Sequence, residues 1–494
     1  MNQRYIYQMK RHKLFWGLLM ALMVQMLMTA CNDDESFTTS PSNLLTFETD
    51  TLRLDTTFSK VPTATKTFWV YNYSGSGIRC ADIRLESGNQ TGFRVNVDGV
   101  YLGPSVGYQL HDVEIRKNDS IRVFVEMTSV MQQADEPQKI EDNLVFTLES
   151  GVQQKVNLNA FSWDAEFLQD VVIHGDSTIH TTKPIVIYGN LTVDSMATLT
   201  IGAGTTLYFH NNAGLNVYGR LLCKGTAENN VVLRGDRIDR MFNYLPYDRV
   251  SGQWRGIHIY ESSYDNVIEY TDIHSPYDGI ECDSADVTKM KLRLVNSTIH
   301  NCQGFGFEGR NCKLEILNCQ ISNTLANCAT FVGGDIFINN STFAQFYPFE
   351  GERGPALSFD NYYPLKNLTC LNSLITGYAD DVLMGNKRKV KEGETEKEFN
   401  YLFDHCVIRT PKVETDDSIY FTNVIYEDVK DTTRGSWKHF VKIDTKNLIY
   451  DFRLDSISTA IGVADPKTVL PTDRNALPRD DEEPDAGAYE YVKN

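Results

Sequence analysis

Five short segments of this chain repeat one order of side chains: Asn296-Ser297-Thr298-Ile299, Asn318-Cys319-Gln320-Ile321, Asn340-Ser341-Thr342-Phe343, Asn372-Ser373-Leu374-Ile375 and His405-Cys406-Val407-Ile408. The anchors Ile299, Ile321 and Phe343 stand 22 residues apart, and an earlier member, Ile273, lies 26 residues before Ile299. Self-similarity at a fixed short period means that each repeat buries its apolar face against the next one, so the chain stacks as a solenoid. Leucine-rich repeats have a similar length, but their L-x-x-L-x-L frame is missing here.

A period of 22 residues holding three strand-like runs is the coil length of a right-handed parallel β-helix. Equivalent residues on successive coils then lie about 4.8 Å apart and like side chains form ladders. Asn296, Asn318, Asn340 and Asn372 are expected to form an asparagine ladder at a bend, and Ser297, Cys319, Ser341, Ser373 and Cys406 a ladder of small side chains beside it. The gaps after Phe343 and Ile375 hold the insertions 347–354 and 387–398, which a solenoid accommodates as loops. Upstream, Thr198-Leu199-Thr200-Ile201-Gly202-Ala203-Gly204-Thr205-Thr206-Leu207-Tyr208-Phe209 and Gly214-Leu215-Asn216-Val217-Tyr218-Gly219-Arg220-Leu221 resemble the opening coils of exported bacterial β-helix proteins of the pectate-lyase-like superfold. Asp451 to Gly462 and Pro484-Asp485-Ala486-Gly487-Ala488-Tyr489-Glu490-Tyr491 resemble their closing segment, which is expected to cap a coil edge.

From Leu45 to Phe161 the texture differs. Alternating runs such as Thr67-Phe68-Trp69-Val70-Tyr71, Ile121-Arg122-Val123-Phe124-Val125 and Leu144-Val145-Phe146-Thr147-Leu148, separated by frequent turn signals, predict a β-sandwich. With the segment Val61 to Asn72 and the polar turn Asn118-Asp119-Ser120, the region resembles the immunoglobulin-like domains beside the anchor of Bacteroidetes lipoproteins. Such a domain acts as a spacer or an interaction module.

Ahead of it, Arg4, Lys10, Arg11 and Lys13 precede an apolar run from Leu14 to Met28, the anatomy of a secretory signal. The run is shorter than the ~20 residues a membrane span requires. It ends in Met28-Thr29-Ala30-Cys31, which resembles a lipobox, so the resemblance implies lipidation of Cys31. Asn32-Asp33-Asp34-Glu35 then resembles the surface-export signal of Bacteroidetes lipoproteins. The expected organisation is a signal peptide over 1–30, a tether over 31–44, the sandwich over 45–163 and the β-helix with its closing segment over 164–494. The whole is all-β, placed at the outer membrane and exposed at the cell surface.

Loss of the leader removes four basic residues and no acid, so the formal charge of −18 becomes −22. That balance repels polyanions and argues against nucleic acid and strongly anionic polysaccharides as partners. Of the ten cysteines, nine remain after Cys31, without metal-binding spacing, and are expected to be mostly small buried residues. No cofactor motif is present.

Catalytic signatures are incomplete. The polygalacturonase-like hydrolases carry N-T-D, D-D, G-H-G and R-I-K on consecutive coils; only Asp380-Asp381 matches, and a lone acidic pair is usually a solvated turn. Glu281 and Glu308 occupy equivalent places and, stacked, approach the ~5 Å of a retaining glycosidase pair, although any ladder gives that spacing. His274 and His300 follow aligned anchors, but Ser322, Ala344 and Thr376 continue their column, so it is read as a polar ladder without a third strong ligand. For sugar stacking, the aromatic insertion from Asp236 to Trp254 supplies Tyr244, Tyr247 and Trp254, and a later one supplies Tyr362 and Tyr363, the favoured alternative being that these loops fold back and pack on the solenoid. Six Asp-Ser/Thr-apolar triplets, Asp119-Ser120-Ile121 among them, match a Bacteroidetes O-glycosylation sequon. The chain is therefore expected to be a lipid-anchored envelope protein, attached to the membrane by its lipid, whose β-helix binds a glycan or a cell-surface protein without catalysis. The alternative is a polysaccharide-active hydrolase or lyase.

Overall fold

A computed structural model describes residues 36–379, 382–390, 395–412, 420–431 and 433–493. The signal peptide, Cys31 and Asp380-Asp381 lie outside them. No helix among the described residues is long and apolar enough to cross a membrane.

The chain divides into two units. The first comprises the described residues up to Leu54 together with Thr65–Ser129 and Lys139–Ala160. Two five-stranded sheets run through this part of the chain. One orders Thr46–Phe47, Lys66–Tyr71, Ser120–Met127, Phe93–Val97 and Val100–Tyr101; the other orders Thr51–Phe58, Gln153–Trp163, Gln138–Leu148, Ile78–Leu85 and Gln109–Ile115. Alternation sends every second side chain inward, and Phe68, Val70, Val95, Val123, Ile83, Phe146 and Leu158 share one core.

The second unit contains Asp55–Ala64, Val130–Gln138 and everything from Phe161 onward. It holds a parallel sheet of 26 strands, from Glu166–Ile173 to Ile425–Tyr426, in which a strand typically pairs with the one three places later in sequence. That connectivity is a β-helical solenoid. Its register follows the repeat: Ile273 pairs with Ile299, Ile299 with Ile321, Ile321 with Phe343, Phe343 with Ile375 and Ile375 with Ile408. All six are fully buried in one continuous core. The small column lies beside them, where the Ser297 hydroxyl accepts from the Thr271 amide, the Ser341 hydroxyl from that of Cys319, and the Ser373 hydroxyl from that of Ser341. The nine described cysteines are all buried and unpaired.

The asparagines stack as expected, but for a further reason. Asn296, Asn318, Asn340 and Asn372 have φ between 46° and 52°, the left-handed region that asparagine tolerates better than other side chains. Only one amide of the column bonds directly to the next, Asn318 donating to the Asn296 carbonyl oxygen at 3.1 Å. Three of the four meet the C-terminal segment: Asn340 accepts from the Leu470 amide and Asn372 from that of Asp465, while Asn318 also donates to the Thr472 carbonyl. That segment runs as a strap along the flank of the solenoid, with Arg474 on Asn230, Arg479 on Asn318, the Tyr489 hydroxyl on Gln320, the Ala488 amide on Thr342 and the Gly487 amide on the Asn372 carbonyl. A bend in the left-handed conformation turns polar side chains sideways, and a lateral strap satisfies them.

Candidate functional sites

Alternation on three stacked strands builds the first cleft. In Gly256–Ile259, Ile280–Cys282 and Phe307–Arg310 the apolar residues Ile257, Ile280 and Phe307 point inward, which places His258, Glu281, Glu308 and Arg310 outside. Register then stacks Asn216, His258, Glu281 and Glu308 into one column. Glu281 and Glu308 are thus neighbours, and Arg310 bridges them at 3.2 and 2.8 Å. His258 lies 3.1 Å from Asp283 and 3.8 Å from Glu281.

A cavity of about 530 Å³ opens over this column, with Asn216, Arg255, Tyr277 and Asp278 around it. The Tyr277 ring stands half exposed at 53 %. Burial pushes the Asp278 carboxyl above the usual carboxylate range, against the opposing hydrogen bond from the Phe305 amide at 2.9 Å. Burial also raises Glu308, against the pull of Arg310.

Of the aromatic candidates, Trp254 alone lines this cavity. Trp254 is 1 % exposed: its ring stacks on Phe209 at 4.4 Å and its indole N–H donates to the His274 carbonyl, so it is a core residue and not a stacking platform. The insertion folds back because its last residues rejoin the solenoid at Gly256 and must bury the indole on the way. Tyr244 is exposed and stacks on Phe242 at 5.8 Å, whereas Tyr247 is half-buried under the Arg237 guanidinium at 4.1 Å. Tyr362 is exposed, lies edge-on to Tyr363 and carries Arg388 over its ring at 4.4 Å. None of these four tyrosines is brought to the cleft.

A second cavity of about 610 Å³ lies over the neighbouring outward column, bounded by Asp248 and by the C-terminal hairpin that includes Tyr450 and Phe452. His274 and His300 stack here at 5.1 Å. A third strong ligand does accompany them, in the column two residues earlier: Asp272 lies 3.4 Å from His274 Nδ1 and 3.0 Å from His300 Nε2. Asp248 accepts from His274 Nε2 at 2.8 Å. Burial opposes a charged ring, but Asp272 and Asp248 outweigh it and push His274 up to about 9.

The reading by columns missed Asp278 and Tyr277, which lie in the turn between strands where no periodicity applies. It missed Asp272 only because the anchor's other neighbour was overlooked; Asp272-Ile273-His274 is itself the signal, since residues i and i+2 of a strand share a face.

No family model matches the chain, and no curated protein does. Among solved structures, a protein of unknown function from Porphyromonas gingivalis W83 is similar over 26 % of this chain and 60 % of its own, at 11 % identity and a TM-score of 0.18. A family 123 glycoside hydrolase from Clostridium perfringens is similar over 27 % and 31 %, at 8 % identity and 0.18. Dex49A from Penicillium minioluteum is similar over 75 % and 71 %, at 9 % identity and 0.15. The chain therefore spans less than two thirds of the first two, and likenesses at these scores carry no argument about function.

Proposed function

We propose that this chain is a lipid-anchored surface protein of the bacterial envelope that binds a neutral glycan in the cleft over Asn216, His258 and Glu281, without turning it over. In this reading Cys31 carries the lipid, the two antiparallel sheets form an immunoglobulin-like sandwich that acts as a spacer, and the solenoid is right-handed, as nearly all parallel crossovers are. The observation that carries the reading is the meeting of one half-exposed tyrosine ring with amide, imidazole, guanidinium and carboxylate groups around a single cavity. Sugar recognition needs this combination of an apolar face beside hydrogen-bonding groups. The carboxylates Asp278, Glu281 and Glu308 disfavour an anionic chain there.

The test is a glycan array probed with wild type, Tyr277→Ala and Tyr244→Ala. Loss of the neutral-glycan signal in Tyr277→Ala alone supports the cleft; loss in Tyr244→Ala alone moves the site to the exposed Phe242–Tyr244 pair.

A catalytic reading has one observation in its favour, the two carboxyls raised by burial on either side of Glu281, a pattern that suits a general acid. Release of reducing ends from a bound glycan by wild type, abolished in Glu281→Gln and Glu308→Gln, would establish it. The absence of turnover alongside retained binding supports the binding protein.

A further inference from the structure

We infer that Asp272, His274 and His300 form a binding site for a divalent transition metal of the zinc type, with Asp248 holding His274 in the ligating tautomer. The three side chains come from two adjacent coils and offer ligand atoms within 4.8 Å of one another. Two atoms bound at 2.0–2.1 Å to a tetrahedral zinc lie about 3.3 Å apart. One Asp272 oxygen lies 3.4 Å from His274 Nδ1 and the other 3.0 Å from His300 Nε2, so the carboxylate faces both imidazoles at distances close to that value.

A second, independent feature points to a ligand. His274 is 6 % exposed, and its Nδ1 is buried without a hydrogen-bond partner although it faces the Asp272 carboxylate. Its other nitrogen donates to Asp248 at 2.8 Å. A metal-ligating histidine gives its far N–H to a carboxylate in this way, and the ion would take the place of the proton that Asp272 holds on the near nitrogen. The Thr298 hydroxyl, donating to Asp272 at 2.9 Å, orients the third ligand in the same way. Asn323, buried at 1 % with neither amide atom hydrogen-bonded, lines the same cavity.

Imidazole with carboxylate selects zinc and its neighbours over calcium or magnesium, which prefer sets made of oxygen alone. Among the described residues, the other cluster of this kind, His258 with Glu281 and Asp283, is less suited: Arg310 already occupies Glu281 at 3.2 Å, and a cation there would meet the guanidinium. Asp272, by contrast, has ion pairs only with the two histidines among the described residues. The ion would join Asp272 and His274 to His300 on the next coil, and through Asp248 it would pin the 236–254 insertion to the solenoid.

The experiment uses the full mature chain, stripped with a chelator, dialysed and titrated with Zn2+ at pH 7.5 against a chromophoric competitor. One ion per chain is expected, with a rise in thermal midpoint that Ca2+ and Mg2+ do not reproduce. His300→Ala, on the partly exposed edge of the cluster, and Asp272→Asn are each expected to weaken binding by at least about tenfold, while His258→Ala leaves it unchanged. Loading wild type with Co2+ instead is expected to give the intense visible absorption of a tetrahedral site, a readout independent of any variant's folding. Sub-stoichiometric zinc uptake, uptake unaffected in His300→Ala but lost in His258→Ala, or a Co2+ spectrum of purely octahedral strength would each overturn the proposal and leave the cluster an imidazolium held between two carboxylates.

Discussion

At the scale of single residues, two side chains change meaning once their surroundings are known. Trp254 fills the core against Phe209, so Trp254→Ala is expected to cost about 3–5 kcal/mol through lost burial and an unfilled cavity. Urea denaturation checks this; an exposed ring would leave stability nearly unchanged. Asp485 is buried in the strap, where burial and then Glu490 outweigh its hydrogen bond from the Tyr491 amide and raise it to about 6. A carboxyl that binds its proton more tightly folded than unfolded supports stability at low pH and loses that contribution as pH rises from about 4 to about 6. The effect is at most about 3 kcal/mol. Asp485→Asn retains an acceptor for the Gly462 amide, and the difference between wild-type and variant urea midpoints is expected to move in the variant's favour between pH 4 and pH 6.5. A difference independent of pH would show that Asp485 titrates normally.

At the scale of elements, the strap determines how well the flank of the solenoid is protected. Arg479 is almost fully buried and reaches Asn318 Oδ1, the carbonyls of Asp485 and Gly487, and Glu490 at 3.1 Å. Removing one partner of a buried ion pair leaves the other charged and unpaired, at a cost of about 3–5 kcal/mol. Arg479→Ala is therefore expected to loosen residues 464–491 from the asparagine column, seen as faster amide hydrogen exchange there and at Asn318 and Asn340. Unchanged exchange in the strap would show that Tyr489 and the backbone bonds hold it without Arg479. The coils themselves are held by a different device, the small column of Ser297, Cys319, Ser341 and Ser373, which satisfies amides inside the bend where a larger side chain has no room.

At the scale of the whole molecule, the anchoring proposal gives the plainest prediction. Cys31→Ala is expected to move the protein out of the membrane fraction while circular dichroism and thermal unfolding of the purified chain stay the same. Membrane association retained by that variant, with the leader uncleaved, would support a spanning segment instead. How much of the molecule was legible beforehand varied by level. The stacked anchors from Ile273 to Ile408, the asparagine and serine columns and the adjacency of Glu281 to Glu308 were readable, because a parallel ladder repeats side chains at a fixed spacing and register is a property of the chain itself. The bridging of those glutamates by Arg310 needed only the next outward position. The cleft at Tyr277 and Asp278 and the lateral path of the strap were not readable, because each depends on where an aperiodic segment lies against coils that are distant in sequence. By itself, then, the sequence determined the period, the inward and outward faces and the columns that follow from them. Only the tertiary structure decided which outward groups share a cavity, since loops without a repeat are positioned by packing and by the polar groups they find to satisfy.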